Sequence, residues 1–169
     1  MELQHHWRTE KILSTDEAAT KAAELKSAGK KIVTVNGAFD ILHAGHLDML
    51  EESKMQGDIL FVGVNSDKSI RDKKGEARPY IPQDERMAML AALTCVDYVV
   101  LLDAPYDQAQ DVLILAVKPD VHANGAEYGP PETWVDYPAM QKVGAKGYGV
   151  ERRPGLATSD LIKKILASN

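Results

Sequence analysis

The 169-residue chain is 44% hydrophobic and 27% charged, proportions ordinary for a globular domain large enough to bury a core without staples. A net charge of −5 leaves no basic footprint for nucleic acid, and no run approaches the ~18 apolar residues of a membrane span. One cysteine rules out a disulfide within the chain, and the polar N-terminus lacks a signal-peptide pattern, so residues 1–169 read as one cytoplasmic domain.

Residues 1–10, with His5, His6 and Trp7, read as a flexible N-terminal segment. An Ala- and Lys-rich helix is expected over 16–28, opening after Ser14 and Thr15 and ending at Gly29. A strand over 31–36 follows, then a helix around His46 carrying Leu47, Leu50 and Met55. The continuous apolar run 59–64 suits a strand covered on both faces. Residues 65–78 read as a polar loop, 83–93 as a helix and 98–102 as a strand. Cys95, flanked by apolar residues, reads as core rather than as a nucleophile. Asp107 is a plausible N-cap for a helix over 108–117. A strand over 120–124, a Gly/Pro-rich loop over 125–131, a helix over 133–143 and a strand over 147–151 come next. The last helix opens at Thr158, Ser159 and Asp160. Five strands alternating with helices predict an α/β fold with a doubly wound parallel sheet.

Ligands bind such sheets beyond the carboxyl ends of the strands, where the strand order reverses. The loops expected there hold most of the unusual polar residues. In Asn36-Gly37-Ala38-Phe39-Asp40-Ile41-Leu42-His43-Ala44-Gly45-His46, a strand gives way to a helix. Such a junction aims backbone N–H groups, near Ala38 and Phe39, and a helix dipole at an anion. His43 and His46, three residues apart, face the same way on a first helical turn. Two such histidines are otherwise one core and one surface residue, but the glycines and the strand-to-helix position favour a phosphate cradle. Asp40 either accepts hydrogen bonds from a hydroxylated substrate or caps the turn. Lys73, Lys74 and Arg78 surround Gly75, either as a solvated loop or as a closing clamp on phosphate. Arg86 is either an exposed, paired arginine or a phosphate ligand. Thr158 or Ser159 reads as an N-cap, and the same helix start could hold a phosphate.

No Ser-His-Asp set, zinc-ligand spacing or Walker lysine loop is present. The sequence offers phosphate binders and no nucleophile. A phosphomonoester, with a second pKa near ~6, can itself attack at neutral pH, so alignment and charge stabilisation would suffice.

The histidine segment resembles the cytidylyltransferase-like nucleotidyltransferases with their His-x-Gly-His signature. It is especially similar to the adenylyltransferase domain of bacterial ADP-heptose synthases. The likeness covers about residues 11–164 and includes Val64-Asn65-Ser66-Asp67, Lys74-Gly75-Glu76-Ala77-Arg78-Pro79, Glu85-Arg86-Met87 and Leu156-Ala157-Thr158-Ser159. Class I aminoacyl-tRNA synthetases carry a similar histidine element, but they are longer and add a Lys-Met-Ser-Lys-Ser loop absent here.

The resemblance implies a single Rossmann-like domain that moves a nucleoside monophosphate, ATP favoured as donor, to a phosphorylated sugar, heptose 1-phosphate first, and releases pyrophosphate. By that likeness His43, His46 and Lys74 are catalytic, with Lys74 bridging acceptor and nucleotide phosphates. Ala38, Phe39, Arg86, Asn124, Gly125, Thr158 and Ser159 join the histidines in holding the nucleotide. Asp40, Lys74 and Arg152 belong to the acceptor. Mg²⁺ is expected on the nucleotide phosphates, with no metal ligands of the protein's own. The expected partners are the triphosphate and a small phosphorylated acceptor, with no nucleic acid or membrane, and the family suggests a homodimer. Asn124 stands where the heptose enzymes usually have lysine, and Ala157 where they have serine. Arg152 aligns with the arginine of the glycerol-phosphate cytidylyltransferase pattern. Cytidylyl transfer to glycerol 3-phosphate or phosphoethanolamine is the alternative, and a nucleotide-binding module without turnover is an alternative of another class.

Overall fold

The computed structural model describes residues 7–151 and 155–168. Six parallel strands form one sheet: β1 (Ile12–Leu13), β2 (Ile32–Gly37), β3 (Ile59–Asn65), β4 (Tyr98–Leu102), β5 (Val121–Gly125) and β6 (Lys146–Val150). Their order is β1-β4-β3-β2-β5-β6. The expected count of five is corrected by β1, which consists only of the Ile12↔Val99 and Leu13↔Val100 pairings. Two residues carry no period of their own, so tertiary pairing alone makes them a strand.

Helices α1 (Thr15–Ser27), α2 (Ala44–Lys54), α3 (Asp67–Lys74), α4 (Gln83–Ala91), α5 (Tyr106–Val117), α6 (Tyr137–Val143) and α7 (Thr158–Leu166) connect and cover the strands. Ser14 caps α1 in a reciprocal box with Glu17, satisfying two helix-end donors. Helix α3 replaces part of the polar loop expected over 65–78. Only Ser69 and Ile70 of its eight residues are buried, too few to print a helical stripe, yet Ser66 caps it by accepting from the Ser69 N–H. Helix α5 opens two residues earlier than Asp107 would allow as a cap: Pro105 holds the cap position and Asp107 lies in the first turn. Helix α6 is shorter than 133–143, because Pro131–Thr133 form a separate 3-10 turn.

Of the N-terminal segment expected to be flexible, residues 7–10 belong to a 3-10 helix, Trp7–Lys11. Lys11 donates to the Leu93 and Val96 carbonyls, tying this turn to the end of α4. Cys95 is half-buried against the core, and burial together with Glu51 pushes its thiol up, which disfavours the nucleophilic thiolate.

Val33, Val35, Leu60, Val62 and Val64 pack beneath α2 and α4, while Ile32, Phe61, Val100 and Leu102 pack beneath α1 and α5. Burial on both faces explains the continuous apolar runs. Ala18 and Ala22, one helical turn apart on α1, let that helix approach the second face closely. A small cluster of Ile114, Trp134, Ala139 and Met140 seats α6 against α5. At the amino ends, Asp58, Asp120 and Asp97 accept the Lys31, Ile32 and Leu60 N–H groups, each at 2.7 Å. These bonds anchor β2 and β3 at the edge away from the site. From β2 the chain winds outward through β3 and β4, then returns to place β5 on the other side of β2. The crevice between the carboxyl ends of β2 and β5 is therefore the switch point where α/β sheets bind ligands.

Candidate active site

A cavity of about 610 Å³ opens at this switch point, within the usual range for a small-molecule site. His43 occupies the N-cap of α2 in extended conformation and makes no side-chain cap, while His46 lies on the first turn. Their rings stack with centroids 3.9 Å apart and planes 27° off parallel, confirming that the two face one way. Phe39, held at φ +48°, packs its buried ring 5.5 Å from His46. A bulky residue at positive φ is strained, and such strain survives only where surrounding contacts hold it.

No acidic residue lies in the first turn of α2, so its partial positive end faces the cavity uncompensated. Helix α7 begins at the same cavity. Its cap is Ala157, which makes no side-chain cap bond, so Thr158 and Ser159 are not N-caps as expected. Both line the cavity instead. The two helix starts approach closely because residue 45 is glycine: a Cβ there would lie 3.0 Å from the Leu156 carbonyl oxygen and 3.1 Å from His43 Cε1. Two helix N-termini and two imidazoles on one cavity form an anion cradle.

Lys74, on the last turn of α3, and Arg78 line the same cavity. Burial, then Arg78, lower the Lys74 ammonium from the usual lysine range, with Asp40 opposing. An incoming phosphate would oppose that lowering, because a nearby anion favours the charged ammonium. Lys73 places its ammonium 5.4 Å from the centre of the Tyr106 ring.

Asp40 is only 2% exposed and both its oxygens are taken. One accepts the Tyr80 and Ile81 N–H groups at 2.8 and 2.9 Å, and the other accepts Arg78 Nε and its terminal nitrogen at 2.8 and 2.7 Å. It reaches the cavity wall, but as the anchor of the Arg78–Ile81 segment rather than as a free acceptor for substrate.

Arg86 departs further from expectation. It is fully buried and does not line the cavity. Its guanidinium donates to the Ile81, Ala38 and Asn65 carbonyls and to Asp67. Four of five donors are thus spent on the protein, so Arg86 in this structure braces the loops that frame the site. Asn124 and Gly125 line the cavity at the end of β5, with Asn124 Oδ1 accepting the Gly125 N–H at 2.9 Å. Ala38 and Phe39 line it at the end of β2. Arg152 lies outside the described residues.

Other lining residues were not legible as a group: Asn65, Tyr106, Gln110, Trp134 and Asp136. They come from three separate segments, the end of β3, the first turns of α5 and the loop before α6, and only the sheet order brings them together. The one signal available in sequence was a histidine, His122, between the apolar Val121 and Ala123 of a strand. It is 1% exposed and pairs through Nε2 with Asp136 at 2.7 Å.

The chain's similarities agree with this geometry. Residues 34–153 match the family model described as cytidylyltransferase-like. The chain is 40% identical over 97% of its length to the bifunctional protein HldE of Pelobacter propionicus, and 43% identical over 94% to that of Wolinella succinogenes. It spans about a third of the length of these relatives, 33% and 32%. A lipopolysaccharide core biosynthesis protein from Thermoplasma volcanium superimposes with TM-score 0.59 at 30% identity, covering 74% of this chain and 98% of that one. A pantoate-beta-alanine ligase from Francisella tularensis shares the fold, with TM-score 0.60 at 13% identity, covering 94% of this chain and 79% of that one. The histidine cradle at the switch point of a parallel sheet, together with these matches, makes the chain a member of the cytidylyltransferase-like family of nucleotidyltransferases.

Proposed function

We propose that this domain transfers a nucleoside monophosphate, AMP in first place, from a nucleoside triphosphate to a phosphorylated sugar, heptose 1-phosphate in first place, with release of pyrophosphate. The observation that carries the reading is the stacked His43–His46 pair at the start of α2, faced across Gly45 by the start of α7. The likeness to ADP-heptose synthase domains supports the donor and acceptor. A sugar acceptor also fits the likeness to the Thermoplasma lipopolysaccharide core biosynthesis protein.

In this reaction an acceptor phosphate oxygen attacks the α-phosphorus, forming a P–O bond. The α–β bridge bond breaks, and its electron pair leaves with pyrophosphate. The acceptor phosphate is largely dianionic at neutral pH and needs no general base. What the protein supplies is alignment and donors for the growing negative charge. His43, His46 and the α7 start serve the departing phosphates. Lys74 serves the acceptor phosphate and the α-phosphate it approaches. The donors on this wall would hold the nucleotide phosphates, and an Mg²⁺ ion carried by those phosphates would supply charge neutralisation.

The test is Mg²⁺-dependent pyrophosphate release with ATP or CTP, each paired with heptose 1-phosphate, glycerol 3-phosphate or phosphoethanolamine. ATP with heptose 1-phosphate is expected to dominate, and His46→Ala to lower its rate ~10²–10³-fold, as removal of an oxyanion-type donor does. Preference for CTP with glycerol 3-phosphate or phosphoethanolamine would move the substrate assignment. Nucleotide binding without pyrophosphate release from any pair would overturn the transferase reading.

A further inference from the structure

We infer that Asp136, held in place by His122, accepts a hydroxyl of the acceptor and so helps to choose which acceptor is used. The inference rests on the transferase reading above and names a subsite within it. Strand register supplies the starting point. Thr34 on β2 pairs with His122 on β5, and residues alternate in facing along a strand, so both side chains share the face of Ile32 and Phe61, beneath α1 and α5. His43 and His46 stand on α2, which covers the opposite face. The cavity therefore straddles the sheet edge, with the phosphate cradle on one side and the His122–Asp136 pair on the other.

The pair is built as a support. His122 Nδ1 lies 2.9 Å from Thr34 Oγ1, and Nε2 lies 2.7 Å from Asp136 Oδ2. Trp134 closes edge-on against the imidazole with centroids 6.2 Å apart, and its Nε1–H donates to the Gly129 carbonyl at 2.9 Å. His122, Trp134 and Asp136 are each at most 4% exposed. The small exposed part of Asp136 opens onto the cavity. A carboxylate removed from water this far is costly unless its lone pairs are used; the imidazole takes one oxygen and the residue's own backbone N–H adds a bond, which leaves acceptor capacity for a hydroxyl. The half-buried Asp111 carboxyl, raised by burial and by Asp136, is a second acidic group near the pair, and Lys142 opposes that rise.

This wall repels phosphate and attracts hydrogen-bond donors. Lys74 and Arg78, at the α3 side, attract phosphate. An acceptor with a phosphate at one end and hydroxyls along its body matches that polarity. Asn65 supplies a further reason for hydroxyls. It is 2% exposed, lines the cavity, and its Nδ2 donor has no hydrogen-bond acceptor. A polyol both donates to a carboxylate and accepts from an amide, whereas an ammonium group only donates.

The experiment uses the full chain and the pyrophosphate assay, with the acceptor that the wild type turns over and its analogues lacking single hydroxyls. Asp136→Asn is expected to raise the acceptor KM about 10–100-fold, the worth of a charge-assisted hydrogen bond, while the nucleotide KM stays within about twofold. The analogue lacking the recognised hydroxyl should weaken the wild type to the same degree and the Asn variant no further. His122→Gln, which keeps a donor toward Asp136, should raise the acceptor KM less than His122→Leu does. An unchanged acceptor KM in a folded Asp136→Asn protein would overturn the inference, and so would equal rises in both KM values. If the variants do not fold, the wild type still decides: turnover indifferent to every single deoxygenation overturns the subsite. A wild type that releases pyrophosphate with no acceptor overturns the transferase reading itself, and this inference with it.

Discussion

Arg86 illustrates what one residue does when its partners are main-chain carbonyls rather than phosphates. Its guanidinium ties the turn after β2 (through Ala38), the end of β3 (through Asn65), the start of α3 (through Asp67) and the turn before α4 (through Ile81). Removing it strands those buried acceptors. Arg86→Met is expected to destabilise the fold by about 3–5 kcal/mol, the range for breaking a buried ion pair, read as a lower urea midpoint. A triphosphate contact would instead leave stability intact and raise only the nucleotide KM. The sequence displays an arginine with five donors, but nothing local says which acceptors they meet. Asp40 poses the same problem, since its role follows from Arg78, Tyr80 and Ile81, some forty residues further along the chain.

Among the elements, α7 is the helix whose position matters most and whose packing is thinnest. None of its residues is fully buried, and Ile162, Ile165 and Leu166 border a separate apolar hollow with Ile41 and Tyr80. Its start is set against α2 through the Gly45–Leu156 contact. Gly45→Ala would improve helix propensity in α2 by roughly 1 kcal/mol. The added methyl would also push on the Leu156 backbone and the His43 ring. The expected outcome is a melting temperature close to wild type with a nucleotide KM raised about tenfold, a shift of ~1.4 kcal/mol in binding. An unchanged KM would mean that the α7 start does not serve the nucleotide. Composition and end signals marked α1 between Ser14 and Gly29, and the apolar and polar alternation placed α4 and α5 within a few residues of their ends. Periodicity missed α3, because eight mostly polar residues with two buried positions carry no stripe, and it misplaced the start of α6, where a 3-10 turn intervenes.

At the scale of the molecule, the β5-to-β2 register joins the two halves of the sheet, and the Thr34–His122–Asp136 chain extends that junction to the loop before α6. Burial by itself would raise the Asp136 carboxyl, but the hydrogen bond and charge of His122 outweigh it and hold it below the ordinary value of 3.8. A carboxyl lowered on folding contributes stability that is fully present above its unfolded value and is lost as pH falls through its folded value. His122 and Asp111 are titratable groups that act with it, and Lys142 acts in turn on Asp111. The urea midpoint of the wild type is therefore expected to fall more steeply below about pH 4 than that of Asp136→Asn. Parallel acid limbs in the two proteins would show that the pair adds no pH-dependent stability. Among the described residues no helix is long and apolar enough to cross a membrane.

The sequence by itself determined the alternation of strands and helices, the strand-to-helix turn with its two histidines, and the family to which those motifs belong. All of these are written in contiguous residues, where period, caps and spacing act over one or two turns of chain. Only the tertiary structure decided that the sheet has a sixth strand, that Arg86 and Asp40 brace the site from within, and that Asp136 and Asn65 reach the cavity. Each of those outcomes depends on which distant group supplies the opposite end of a hydrogen bond, and strand order sets that.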